Sequence, residues 1–63
     1  MILRNILNLV NKNTKIHLVV NDKDMGTYSS SESLKEETLF NTYRVSGISS
    51  QSDTTIIIFV ESK

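Results

Sequence analysis

Side chains that could carry out acid–base chemistry are few in this chain of 63 residues. His17 is the only histidine, and there is no cysteine. Imidazole is a suitable general base near neutral pH, but no serine or cysteine nucleophile motif accompanies His17. A lone histidine on a strand is more typical of a surface or an interface. We therefore predict a protein without catalytic residues or a cofactor.

Carboxylates occur in two arrangements that could hold a metal ion, but neither matches a known metal-binding pattern well. Asp22–Gly26 resembles the start of a calcium loop. With Asp22 as the first ligand, however, glycine falls at the fifth position, and the twelfth is Ser33 where such a loop needs glutamate. Asp53 and Glu61 flank an apolar run, and paired carboxylates can hold Mg²⁺. A metal-dependent nuclease stays a distant alternative, and no metal ligands are predicted.

Positive charge is balanced in this sequence, with seven Lys/Arg against seven Asp/Glu. Dedicated nucleic-acid-binding proteins usually have a basic excess. A small cluster of Lys15, His17 and Arg44 could still contact phosphates, weakly and with strong salt dependence. A small dimeric nucleic-acid-binding protein is therefore the alternative function.

The length predicts one small domain, residues 1–63, of marginal stability. Without disulfides, association with another chain is the remaining way to gain stability. The apolar N-terminus, Met1–Val10, is interrupted by Arg4, Asn5 and Asn8, which argues against a signal peptide. No segment has the length of a membrane span. We expect a soluble cytoplasmic protein that does not contact membranes.

Apolar spacing predicts the first half of the fold. Leu3, Ile6, Leu7 and Val10 form one stripe of a helix, widened by Ile2 and Leu9 and ended by residues 11–13. Residues 14–20 alternate as a strand. Residues 21–26 are rich in turn formers, and residues 26–29 are expected to return as a short strand.

The second half repeats this order. Ser29 with Glu32 and Ser33 with Glu36 have capping-box spacing, which predicts a helix over residues 31–39; a serine-rich linker is the competing interpretation. Residues 42–48 and 54–61 read as strands around a turn at 49–53. The sequence predicts an α+β fold, αββαββ, with an antiparallel four-stranded sheet and both helices on one face.

The last strand has apolar side chains on both faces. Ile56, Ile58 and Val60 alternate with Ile57 and Phe59. The first set is predicted to form the core, with Ile16, Leu18, Val20, Tyr43 and Val45 from the sheet and Leu3, Ile6, Leu7, Val10, Leu34 and Phe40 from the helical segments. The other face, with Lys15, His17, Arg44, Ser46 and Glu61, leaves Val19, Ile48, Ile57 and Phe59 uncovered. We predict that these four form an interface, most simply in a homodimer.

Three segments carry a family resemblance. Leu3–Val10, Asn13–Leu18 and Val45–Ile48 resemble the L-R-[DN]-[IL]-L helix, T-K-[VI] strand and V-x-x-I strand of small phage and mobile-element proteins from low-GC Gram-positive bacteria. The resemblance implies an accessory protein that acts by binding, with a host protein as a possible target. Its sharpest version is an inhibitor of host defence, such as an anti-CRISPR protein. No functional residue is carried over from the resemblance.

Overall fold

The computed structural model describes residues 1–62. Its elements are α1 (Leu3–Leu7), β1 (Lys15–Val20), β2 (Lys23–Tyr28), α2 (Ser31–Lys35), a 3₁₀ turn (Thr38–Phe40), β3 (Arg44–Ser52) and β4 (Thr55–Glu61). This succession confirms the predicted α+β class and the αββαββ order.

The four strands form one mixed sheet in the order β2-β1-β4-β3. The hairpins β1–β2 and β3–β4 are antiparallel, but the central strands are parallel, from Lys15 opposite Thr55 to Val20 opposite Val60. The prediction of an antiparallel sheet is therefore wrong for this pair. Residues 29–43 carry the chain from the end of β2, beside the start of β1, to the opposite end of the sheet, where β3 begins. A crossover of this kind needs about a dozen residues or more. The two most apolar strands thereby occupy the centre.

Both helices pack on the same side of the sheet and share one core with it. The fully buried side chains are Leu3, Leu7, Ile16, Leu18, Leu34, Ile58 and Val60. Every side chain predicted for the core belongs to this cluster or packs against it. Tyr28 also packs there and was not predicted.

The first helix is shorter than its apolar stripe predicts. It ends at Leu7, with Asn8 as its C-cap. Leu9 is 79% exposed and does not widen the stripe. Asparagine amides compete for backbone hydrogen bonds and so disfavour a helix interior. Asn5, Asn8 and Asn11 recur along this segment, which explains the early end.

The second helix has a different cap from the two capping boxes predicted. Ser30 is its N-cap, and the Ser30 hydroxyl accepts a hydrogen bond from the Ser33 N–H at 3.3 Å. Neither box forms as predicted, because the helix starts at Ser31 and ends at Lys35. The 3₁₀ turn then carries Phe40 into the core.

Both hairpin turns are tighter than predicted. Asn21 and Asp22 alone connect β1 to β2, with φ of 51° and 67°. Two-residue turns with positive φ match the twist of hairpin strands, and Asn and Asp tolerate this conformation. Similarly, β3 continues to Ser52, so the predicted turn at 49–53 contracts to Asp53 and Thr54.

Candidate interaction surface

One face of the sheet packs on the helices, and the opposite face, which we call the open face, has no second layer among residues 1–62. Paired residues on neighbouring strands project to the same side. The strand registers therefore define the open face as Lys15, His17, Val19, Asp24, Thr27, Arg44, Gly47, Ser49, Ser52, Thr55, Ile57, Phe59 and Glu61.

The centre of the open face is apolar. Val19 lies beside Phe59, and His17 lies beside Ile57, across the parallel central strands. All four are partly buried by their neighbours in the sheet and remain accessible in a single copy. Three of the four side chains predicted for the interface, Val19, Ile57 and Phe59, are thus adjacent.

Ile48, the fourth predicted interface residue, lies on the other side of the sheet. It pairs with the fully buried Ile58 and therefore projects toward the helical layer. The expected face is wrong because a β-bulge between Val45 and Gly47 inserts one residue, which inverts the alternation beyond it. Since β3 is an edge strand, Ile48 is still 52% exposed.

A histidine–carboxylate pair borders the apolar centre. His17 Nε2 lies 2.7 Å from Asp24 Oδ1, and the same oxygen accepts the Gly26 N–H at 2.7 Å. The Gly26 hydrogen bond, followed by that from His17, lowers the pKa of the Asp24 carboxyl. The pair links β1 to β2 beside the bulge that their register contains.

Sequence reasoning missed Asp24 because it fell within the predicted turn. Had Asn21-Asp22 been taken as a two-residue hairpin turn, Asp24 would have been placed opposite Val19, where it lies. The bulge between these positions then shifts the register by one residue, so Thr27 rather than Gly26 lies opposite His17.

The three predicted nucleic-acid contacts do not form one patch within a copy. Lys15 and His17 are next to one another on the open face of β1, but Lys15 pairs with Thr55 and Arg44 pairs with Glu61. Thr55 and Glu61 are six residues apart along β4, which corresponds to about 20 Å at roughly 3.3 Å per residue. Arg44 also forms an ion pair with Glu61, Nη2 to Oε1 at 3.3 Å.

The acidic residues are dispersed as well. Asp53 precedes β4 and Glu61 ends it, so the two lie at opposite ends of that strand. Within residues 1–62 there is no group of three or more His, Cys, Asp or Glu side chains that could hold a metal ion. In the same part of the chain, no helix has the length and apolarity needed to cross a membrane.

Comparisons with known proteins find no relative. No protein-family model, curated protein or solved structure matches this chain.

Proposed function

We propose that this protein is a non-enzymatic binding module whose open face associates with another protein chain, and that its simplest partner is a second copy. The main support is the uncovered apolar centre formed by Val19, Ile57 and Phe59. Removing a large apolar side chain from water is worth roughly 1.5–3 kcal/mol, so burial of this centre favours association.

The charges of the open face favour a second copy as the partner. Lys15 and Arg44 supply two cations, and Asp24 and Glu61 supply two carboxylates. The face therefore has no excess of either sign, and two copies facing each other do not repel. A strongly acidic or basic partner would gain little from this surface.

The resemblance to phage and mobile-element proteins extends the proposal. An accessory protein of such an element would use its binding surface against a host protein, and inhibition of host defence is the sharpest form of this function. A host target captured through the open face would support this extension.

Sedimentation velocity over micromolar to millimolar concentrations tests self-association through the open face. The apparent mass of the wild-type protein should rise above its formula mass of 7.1 kDa as the concentration increases. Phe59→Asp should weaken association tenfold or more, since it places a charge in the apolar centre. Leu39→Asp is the matched control, because Leu39 is 67% exposed on the 3₁₀ turn, away from the open face.

A second pair of variants guards against misfolding of Phe59→Asp. Thr27→Glu adds a charge at an exposed position on the open face, whereas Thr38→Glu adds one on the 3₁₀ turn. Weaker association in Thr27→Glu alone supports the proposal. Wild-type protein that stays at its formula mass throughout, or equal behaviour of the two variants, overturns self-association through this face.

A further inference from the structure

The two edges of the sheet differ in how they discourage pairing with another strand. At one edge, β2 carries Lys23 and Asp24 and is distorted by a bulge next to Gly26, whose φ is +94°. Charges and bulges of this kind protect edges. At the other edge, the segment 45–52 of β3 has no charged residue and no proline. The longer edge strand is therefore the less protected one.

The outer side of β3 already accepts extended chain at its beginning. Ile2 pairs antiparallel with Arg44. The Leu3 N–H donates to Tyr43 O, and the Val45 N–H donates to Met1 O, both at 2.9 Å. Beyond Val45, no other segment within residues 1–62 pairs with this side.

The bulge determines which backbone groups are available there. The Val45 N–H points outward, toward Met1. Alternate residues of an antiparallel strand direct their N–H and C=O groups to the same side, and one extra residue follows Val45. The outward groups of the regular stretch 47–50 therefore belong to Ile48 and Ser50.

We propose that β3 pairs with β3 of a second copy, antiparallel and around a two-fold axis at Ser49. In this register Ile48 lies opposite Ser50 of the second copy, and the reverse pair forms by symmetry. The four outward backbone groups of each copy then form hydrogen bonds. The two sheets join into one sheet of eight strands.

Three features favour a second copy at this edge. The segment is uncharged, so self-pairing brings no like charges together. The 52% exposed side chain of Ile48 approaches its symmetry mate diagonally and loses contact with water. This register is also compatible with the Met1–Leu3 segment, because along this edge that segment forms hydrogen bonds only with residues 43 and 45 of the same copy.

This contact involves few residues, so it belongs to the weak class of interfaces. It does not rest on the proposed function. The edge of a sheet lies at right angles to its faces, and association through the open face and through β3 can occur separately or together.

Disulfide trapping tests the inference cleanly, because the chain contains no cysteine. At the two-fold axis, Ser49 faces its own symmetry mate in a pair without mutual hydrogen bonds, where Cβ atoms are about 4.5–5.5 Å apart. That spacing is close to disulfide geometry. Ser49→Cys with oxidised glutathione should give a linked dimer as the main product at high protein concentration.

Ser46→Cys is the matched control, an exposed serine on the same strand and well away from the axis. Adding Ile48→Lys to Ser49→Cys should reduce linked dimer roughly tenfold, through lost apolar contact and like-charge repulsion. If Ser49→Cys links no faster than Ser46→Cys, or if Ile48→Lys has no effect, the inference is wrong.

The same trapping in a Thr27→Glu background separates this contact from the open face. If the disulfide-linked dimer still forms in this background while sedimentation velocity shows weaker self-association, both contacts exist. Loss of linkage in that background overturns the inference of an independent edge contact.

Discussion

The ring of Phe59 lies against the backbone of Gly47. A Cβ atom built on Gly47 would sit 3.6 Å from Cδ1 of Phe59, which is an ordinary van der Waals distance. Gly47 adjoins the bulge of β3, so the ring covers the strand at the point where its alternation changes. The two glycines of the chain therefore have different requirements, since Gly26 has open space around it but a φ of +94°.

Alanine at the two glycines should have opposite effects on stability. Gly47→Ala fits the available space and reduces the entropy of the unfolded chain, so we expect a gain of about 0.5 kcal/mol. Gly26→Ala forces an L-residue into the left-handed region and should cost roughly 1–2 kcal/mol. Urea unfolding followed by circular dichroism measures both. The prediction is contradicted if Gly47→Ala is the more destabilised variant.

The Asp24 carboxyl should make the folded state sensitive to acid. Its pKa is lowered from the ordinary value of 3.8 by hydrogen bonds from Gly26 and His17. A lowered pKa stabilises the folded protein above the unfolded-state pKa, and this contribution disappears as the pH falls through the folded-state pKa. Asp24→Asn should therefore flatten the dependence of unfolding free energy on pH below 3.8.

A carboxyl NMR titration checks the cause of that shift. Asp24 should titrate below 3.8 in the wild type. In His17→Gln its midpoint should move upward, yet stay below the ordinary value, because the Gly26 N–H is the larger cause. A wild-type midpoint at or above 3.8 would refute the hydrogen-bonded arrangement.

The serines before α2 should differ sharply in their contribution to stability. Ser30→Ala removes the N-cap hydroxyl that accepts the Ser33 N–H, and such losses cost about 1 kcal/mol. Ser29→Ala removes only an exposed hydroxyl contact to the Ser33 side chain and should change little. Thermal unfolding of the two variants compares them directly. An equal or larger loss in Ser29→Ala would argue for the capping box that the sequence predicts.

The core could be predicted from the sequence because its signal is repeated in every element. Ile16, Leu18 and Val20 alternate, and Leu3, Ile6 and Leu7 follow helical spacing, so each local pattern identifies the same buried side. Strand direction had no such signal. Nothing in the residues of β1 and β4 distinguishes parallel from antiparallel pairing, which depends on the path of residues 29–43.

The open face could be predicted only as far as the strands alternate regularly. The alternation pattern correctly placed Val19, Ile57 and Phe59 together, because β1 and β4 pair with each other without a bulge. It failed for Ile48, since the bulge after Val45 depends on how β3 fits its neighbour. Asp24 was missed for a related reason, because the two-residue turn and the predicted turn over residues 21–26 differ only slightly in composition.

The adjacency of β1 and β4 also affects how the chain can fold during synthesis. The first strand has its central neighbour at the far end of the chain, residues 55–61. Such distant contacts slow folding, and an isolated hairpin is marginal in water. We therefore expect that a nascent chain still lacking β4 does not form a stable sheet, and that the sheet forms only after residues 55–61 have left the ribosome.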